Sequence, residues 1–208
     1  MLGILGKKIG MSQVFKEDGT CIPVTSITAG PCYVVQVKAK ETDGYRAVQI
    51  GYADKKPKRT TKALAGHFKK SNVSAKKFIK EIKLNEKETY EVGQKLEVDM
   101  FNEGDFVDVT GMSIGKGFQG GMKRYGWSGG PETHGGMNHR GPGSIGANTT
   151  PGRVVRGHHL PGHMGNRKTC VQNLKVIKVD KENNILLVNG AVPGHKGCYL
   201  VVRKAKKK

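Results

Sequence analysis

Short runs in which apolar and polar residues alternate recur along the chain, and this period-two pattern is typical of half-buried β-strands. The alternation is clear at residues 33–37, and it returns at residues 48–52 beyond an Asp43-Gly44 turn. Further strands are predicted at residues 106–109, 171–179, 185–188 and 198–202. Because many short strands of this kind close barrels, the pattern predicts a mainly β fold containing a small closed antiparallel barrel.

Three dipeptides predict hairpin turns, since each separates two apolar or β-branched runs. They are Asp18-Gly19, Asp43-Gly44 and Asn183-Asn184. The lysine-rich segment at residues 54–88 is an insertion in this pattern, and its first part, KKPKRTTK, is either a nucleic-acid contact or a solvated loop. The later run AKKFIKEIKL fits a helix turn carrying Phe78, Ile79 and Ile82, and it fits a strand equally well.

Residues 111–166 break the alternation, because neither a helical nor a strand period persists in them. Of these 56 residues 17 are glycine, and Glu132 is the only acidic one. Apolar strands resume directly afterwards, so we expect a long irregular extension that interrupts the barrel rather than a second domain. The predicted organisation is a barrel from residues 1–110 and 167–203, an extension at 111–166 and a basic tail at 204–208.

The charge of the chain indicates a polyanionic partner. Lysine and arginine number 36 against 17 acidic residues, which gives a net charge of +19, and nucleic acid is the partner such an excess favours. An anionic membrane would require a basic amphipathic helix or an apolar anchor, and neither is visible, nor is a cleavable signal. We therefore expect a cytoplasmic protein without membrane association.

The four cysteines are far apart and form no Cys-x-x-Cys pair, so neither a zinc site nor thiol redox chemistry is indicated. They are Cys21, Cys32, Cys170 and Cys198. Two disulfides are a formal alternative, but a chain of this length with its own core and no export signal has little need of them. The sequence therefore favours reduced cysteines in the core.

Two motifs in the extension suggest enzymes or metal sites, and both are weak. GKGFQG at residues 115–120 has the spacing of a dinucleotide-binding turn, but glycine-rich breakers follow where an amphipathic helix is required. Five histidines lie at positions 134, 139, 158, 159 and 163 without a nearby cysteine pair, and Glu132 is the only carboxylate. No nucleophile elbow is present either, so we expect no catalytic residue, no metal and no cofactor.

An RNA-binding extension accounts better for the same residues. Glycine lets backbone N–H groups approach phosphates, and basic side chains supply charge. Trp127 and Tyr125 would either stack on unpaired bases or pack against the extension itself. The candidate RNA-binding residues are Lys7, Lys8, Lys55, Lys56, Lys58, Arg59, Lys116, Lys123, Arg124, Trp127, His134, His139, Arg140, Arg153, Arg156, His158, His159, Arg167 and Lys168.

Three long stretches of the chain resemble the bacterial ribosomal protein L-three family of the large subunit. They are GILGKKIGMSQVFKEDGTCIPVT near the start, FVDVTGMSIGKGFQGGMKR in the middle and HRGPGSIGANTTPGRVVRGHHLPGHMGN in the extension. The likeness covers nearly the whole chain. It implies a barrel similar to that of translation factors, seated on 23S ribosomal RNA beside other large-subunit proteins, and no catalysis, small-molecule substrate or cofactor.

The resemblance also implies that the extension runs toward the peptidyl transferase centre and supports subunit assembly. The loop tip nearest that centre would be Gly143, Ser144, Ile145, Gly146, Ala147 and Asn148. Ala147 stands where some bacterial relatives carry a methylated glutamine, so that modification is not carried over. Gly146→Val is expected to be severe, because a β-branched residue is strained where the chain needs a positive φ or a close approach to a nucleotide. A free RNA chaperone and a nicotinamide-dependent enzyme are the alternative functions.

Overall fold

The computed structural model describes residues 3–84 and 88–207, and this part of the chain is mainly β. Met1, Leu2 and Lys208, at the ends of the predicted barrel and tail, lie outside the described residues. The strands are β1 (Gly3–Phe15), β2 (Cys21–Ala29), β3 (Cys32–Lys38), β4 (Ala47–Asp54), β5 (Lys76–Lys83), β6 (Lys95–Leu96), β7 (Phe106–Met112), β8 (Phe118–Gln119), β9 (Gly162–His163), β10 (Lys168–Asp180), β11 (Ile185–Asn189) and β12 (Tyr199–Lys204). The α-helices are α1 (Lys40–Asp43), α2 (Lys62–Lys70) and α3 (Gly121–Tyr125).

Six strands form a closed antiparallel barrel in the order β1-β12-β7-β10-β11-β2. Three of them precede residue 113 and three follow residue 167, so strands from both sides of the predicted extension share one core. Their inward-facing side chains include Ile4, Ile27 and Leu200, which are fully buried. The predicted closed antiparallel barrel is therefore confirmed.

The strands predicted at residues 33–37 and 48–52 exist as β3 and β4, but they do not belong to the barrel. They form a separate four-stranded sheet in the order β5-β4-β3-β6. Gly30, between β2 and β3, takes a φ of 87°, a conformation that glycine adopts readily and that redirects the chain into the second sheet. Alternation identifies a strand but does not specify its partner, so the sequence could not separate the two sheets.

The run AKKFIKEIKL forms strand β5, so of the two predicted alternatives the strand is correct and the helix turn is not. Ile82, which is fully buried, pairs with Val48 of β4, whereas its neighbours Glu81 and Lys83 are exposed. The buried Lys76 ammonium lies 2.7 Å from a carboxylate oxygen of Asp54. The helix in this insertion is instead α2, which begins earlier and buries one aromatic residue, Phe68.

The predicted hairpin turns at Asp18-Gly19 and Asn183-Asn184 join β1 to β2 and β10 to β11. The third, Asp43-Gly44, is not a two-residue turn, because Asp43 is the last residue of the short helix α1 and Gly44 caps that helix with a φ of 79°. A single helical turn therefore connects β3 to β4 in place of a tight hairpin.

The cysteines are all unpaired, but only one of them lies in the core. Burial raises the pKa of the Cys32 thiol to about 12, which keeps it neutral. Cys21 and Cys170 are exposed and Cys198 is half-buried. The prediction of core cysteines is therefore wrong for the two exposed residues, because each lies on a strand segment whose side chain faces solvent.

The chain divides into two compact units. One comprises residues 1–113 and 168–208, and the other comprises residues 114–167. The first unit has a single core cluster to which both sheets contribute, with Phe101 as one of its largest fully buried side chains. Within residues 3–84 and 88–207, no helix has the length and apolar composition needed to span a membrane.

Candidate nucleic-acid interface

Residues 114–167 contain little regular structure. Phe118 pairs with His163 and Gln119 with Gly162 in the two-stranded β8-β9 ladder. Helix α3 follows and ends at Tyr125, and Gly126 caps it with a φ of 74°. Apolar side chains of this unit such as Phe118 and Met137 are 76% and 97% exposed, so the unit lacks the buried apolar core that stabilises the barrel.

Aromatic and basic side chains instead hold part of this unit together. The rings of Tyr125 and His159 are stacked, with centroids 4.1 Å apart and planes 5° from parallel. The Arg124 guanidinium lies 5.0 Å from the Tyr125 ring centroid, and its Nη1 donates a hydrogen bond of 2.6 Å to the carbonyl of Leu160. Tyr125 therefore packs against the extension, which was one of the two predicted alternatives.

Trp127 covers the first residue of helix α3. A Cβ atom built on Gly121 would collide with the Trp127 ring, so only glycine fits beneath it. The same ring lines a cavity of about 390 Å³ together with Pro142, His158 and His159. The ring is half-buried, so one part of it packs on the helix and its stacking on an RNA base stays a prediction.

Backbone contacts hold the loop that carries His134, His139 and Arg140. The Gly130 N–H donates to the carbonyl of His139 over 3.1 Å, and His139 Nδ1 lies 3.1 Å from the carbonyl oxygen of Pro131. The carbonyl of Asn138 leaves no room for a side chain at Gly130. This segment is fixed by close backbone approach, which glycine alone permits.

The predicted loop tip, residues 143–148, is exposed throughout. The Ser144 hydroxyl donates a 3.0 Å hydrogen bond to the carbonyl of Gly146. Positive φ values occur at Gly143 (72°), Asn148 (126°) and Gly152 (67°). Gly146 has no positive φ, and a Cβ there would meet nothing closer than 3.9 Å. The positive-φ reason for expecting Gly146→Val to be severe is therefore wrong, and close approach to a nucleotide stays a prediction.

Basic side chains dominate the electrostatics of residues 114–167, which hold seven lysine and arginine residues against Glu132 as the single acidic residue. Five of them are exposed and make no ion pair within the described residues: Lys116, Lys123, Arg140, Arg153 and Arg156. Arg124 donates a hydrogen bond to the Leu160 carbonyl, and Arg167 is the last residue of the unit. Unpaired exposed cations in such excess suit a phosphate backbone.

The remaining candidates lie in the barrel unit. Lys8 donates hydrogen bonds from Nζ to the carbonyls of Val192 (3.0 Å) and Gly194 (3.1 Å), which gives it a structural role. Lys7 is exposed on β1, and Lys168 is exposed at the start of β10. The other four lie at or just after the end of β4 and in the turn that follows it: Lys55, Lys56, Lys58 and Arg59.

Sequence reasoning missed several cations of the barrel unit. Lys80, His195 and Arg203 line a cavity on the outside of the barrel. The alternation of β12 could have indicated the outward position of Arg203, because Leu200 and Val202 face the core. Within the described residues, no three histidine, cysteine or acidic side chains come together as a metal site.

Comparison with known proteins identifies the family. A family model described as Ribosomal protein L3 matches residues 83–184. The Large ribosomal subunit protein uL3 of Alkaliphilus metalliredigens is 51% identical over 207 residues, which cover 100% of this chain and 99% of the relative. The chain belongs to the ribosomal protein L3 family. Two further relatives support this assignment. The uL3 protein of Carboxydothermus hydrogenoformans is 50% identical over 99% of this chain and 98% of the relative. The uL3 protein of Corynebacterium jeikeium is 52% identical over 99% of this chain and 94% of the relative.

Membership of the L3 family confirms the resemblance on which the sequence analysis relied. The chain is a bacterial ribosomal protein that serves translation as a constituent of the large subunit, and the predicted cytoplasmic, ribosomal location is confirmed. The similarity extends over both compact units, so the extension is as much part of the L3 relationship as the barrel.

Proposed function

We propose that the chain binds 23S rRNA, supports assembly of the large subunit and positions rRNA near the peptidyl transferase centre through residues 111–166. The observation that carries this proposal is the composition of residues 114–167, where seven basic residues face one acidic residue and no apolar core is present. Such a segment gains stability from an RNA partner, because contacts with phosphates offset the entropy lost on ordering.

The roles that we propose for the parts of the chain follow the organisation predicted from the sequence. Residues 1–110 and 167–203, which hold a barrel similar to that of translation factors together with the second sheet, would serve as a rigid base beside neighbouring ribosomal proteins. The extension would enter the RNA, and the tail at 204–208 would add basic charge. Neither a membrane nor a small-molecule substrate has a part in this arrangement, and no cofactor is required.

The loop tip would act by shape. Residues 143–148 contain no carboxylate, imidazole or lysine, and the Ser144 hydroxyl donates its proton to a backbone carbonyl rather than to a base. None of these groups transfers protons near neutral pH. Any influence on peptide-bond formation would therefore come from positioning RNA, whose own groups perform the reaction.

The salt dependence of RNA affinity tests the phosphate contacts. Arg153→Ala and Arg156→Ala should each reduce the slope of log affinity against log salt concentration by about one, because each removes one phosphate contact. Binding of the purified chain to deproteinised 23S rRNA, measured by filter retention between low and high salt, gives this slope.

A suitable control is Lys181→Ala, which removes the same charge from a lysine that lies 3.6 Å from Asp99 in the barrel unit. It should leave the slope unchanged. Unchanged slopes for both arginine variants would contradict phosphate contact at these positions. Release of the chain from large subunits by a moderate salt wash would favour the RNA chaperone.

Limited proteolysis tests whether RNA orders the extension. In the free chain we expect trypsin to cut after Arg153 and Arg156 first, because these residues are exposed and have no core beneath them. Bound 23S rRNA should protect both sites. Mass spectrometry of the fragments identifies the order of cleavage.

The exposed residues Lys58 and Arg59 of the barrel unit provide an internal comparison, since they belong to a turn anchored on a four-stranded sheet. Cleavage at Lys58 as fast as at Arg153 in the free chain would contradict the idea that the extension gains its order from RNA.

A further inference from the structure

The outer face of the barrel carries a cavity of about 520 Å³, within the range of roughly 300–1,000 Å³ that is usual for ligand sites. One wall is strand β12, whose alternate residues point to opposite faces. Leu200 and Val202 lie in the core, whereas Tyr199, Val201 and Arg203 line the cavity. The cavity therefore uses the side of β12 that the barrel itself leaves unpacked.

Three other strands contribute to the cavity. Met112 at the end of β7 and Lys168 at the start of β10 pair in register and line it together. Strand β5 of the second sheet contributes Phe78 and Lys80 from the opposite side. All of these residues belong to one compact unit with one core cluster, so the cavity is a built feature of the fold.

The floor of the cavity is apolar and partly aromatic. The rings of Phe78 and Tyr199 are stacked, with centroids 4.7 Å apart and planes 10° from parallel. Met112 is 48% exposed beside them, and Val201 continues the same wall. A flat apolar group of the size of a nucleobase would cover this surface and remove it from water.

The rim of the cavity is basic: Lys80, Lys168, His195 and Arg203 surround the floor. The acidic residue among the lining side chains is Glu81, and its charge is already balanced. One Glu81 oxygen lies 2.9 Å from the Lys38 ammonium, and the other accepts a 3.0 Å hydrogen bond from the Tyr45 hydroxyl. These partners lower the pKa of Glu81 and keep it ionised and paired.

Arg203 adds a second indication of a ligand. Its Nε atom is buried and has no hydrogen-bond acceptor within the described part of the chain. Buried donors without acceptors are rare in folded proteins, because each costs free energy. An arginine held in this way beside a cavity is suited to an anionic ligand such as a phosphate, which the guanidinium group contacts through two N–H donors.

We propose that this cavity holds one unpaired nucleotide of the ribosomal RNA, with the base against the Phe78, Tyr199 and Met112 floor and its phosphates at the basic rim. The inference rests on the proposed binding of rRNA. The combination of an aromatic floor with a cationic rim favours a nucleotide over an acidic peptide, because stacking on aromatic rings requires a planar ligand group.

Crosslinking within assembled large subunits tests the occupant directly. A photoreactive phenylalanine analogue at Lys80, an exposed rim position on β5, should crosslink to a single rRNA nucleotide, which reverse transcription then locates. The matched control is the same substitution at Lys83, which is exposed on the same strand but does not line the cavity. It should not produce that crosslink. A crosslink from position 80 to protein alone, or none to RNA, overturns the proposal.

Filling the cavity provides a second measurement. Val201→Trp should lower the affinity of the full chain for deproteinised 23S rRNA about tenfold, the order expected from the loss of one stacked base. Val37→Trp, at a 37% exposed site on β3 of the second sheet, should not. If Val201→Trp unfolds the chain, Lys80→Gln against Lys83→Gln provides the same comparison at exposed sites.

The outcomes separate the two proposals. If the cavity variants bind rRNA as tightly as the unmodified chain while Arg153→Ala weakens binding, the cavity does not hold a nucleotide and the proposed function stands. If the unmodified chain fails to bind 23S rRNA at all, both proposals fall together.

Discussion

Shortening the segment between Gly143 and Gly152 is expected to lower the rate of peptidyl transfer by large subunits by about 10- to 100-fold, since misplacing reacting groups by about 1 Å has an effect of this size. The segment is exposed along its whole length and contains no group that titrates near neutral pH. Its contribution would be its shape. Purified subunits assayed in a single turnover with a full-length donor substrate give the rate.

Two valine substitutions refine this experiment. Gly152 has a φ of 67°, and a Cβ there would lie 3.0 Å from the Thr149 carbonyl oxygen, whereas a Cβ on Gly146 would have its nearest neighbour at 3.9 Å. Gly152→Val should therefore reproduce most of the effect of shortening, and Gly146→Val should have a smaller one. Full activity of the shortened subunits, with normal assembly, would show that the segment does not position RNA at the catalytic centre.

Phe101→Ala is expected to destabilise the chain by about 3–5 kcal/mol, the usual range for removing a buried aromatic side chain. Phe101 is 1% exposed, follows a short 3-10 turn at Val98–Met100 and packs in the core cluster that both sheets share. A cavity there would weaken both sheets at once. Urea unfolding, followed by far-ultraviolet circular dichroism, measures the change in the free energy of unfolding.

Phe118→Ala is the matched control for this prediction. Phe118 is 76% exposed in the extension, so its removal should change the free energy of unfolding by less than about 0.5 kcal/mol. If neither alanine variant lowered the free energy of unfolding, the shared core would not be the main source of stability in this chain. Equal losses of about 3–5 kcal/mol from both would imply that the extension contributes to the same cooperative unit.

Local patterns predicted the strands well and their partners poorly. The alternation at residues 33–37 and 48–52 identified β3 and β4, but nothing in it distinguishes the barrel from a second sheet, because pairing depends on distant residues. In β5, the adjacent apolar residues Phe78 and Ile79 obscured the alternation. The segment forms a strand because Ile82 pairs with Val48, and that contact exists only in the folded chain.

For the candidate interface too, the sequence indicated the chemical character of the residues but not their contacts. The excess of basic residues in the extension, together with its glycines, was apparent from composition, and long ordered matches identified the family. Composition could not show that Lys8 serves two backbone carbonyls or that Trp127 covers Gly121. It also missed the cavity beside Arg203, because that site combines β5, β7, β10 and β12, which are far apart in sequence.

The pairing of Met112 with Lys168 makes everything between them one very long hairpin loop on a fixed stem. The entropy of closing a flexible loop grows only with the logarithm of its length, so doubling such a loop costs about 0.6 kcal/mol. Insertions and deletions between these two residues therefore leave the register of β7 and β10 almost unaffected. The reach of the loop can change through evolution or by engineering while the barrel keeps its sequence and its stability.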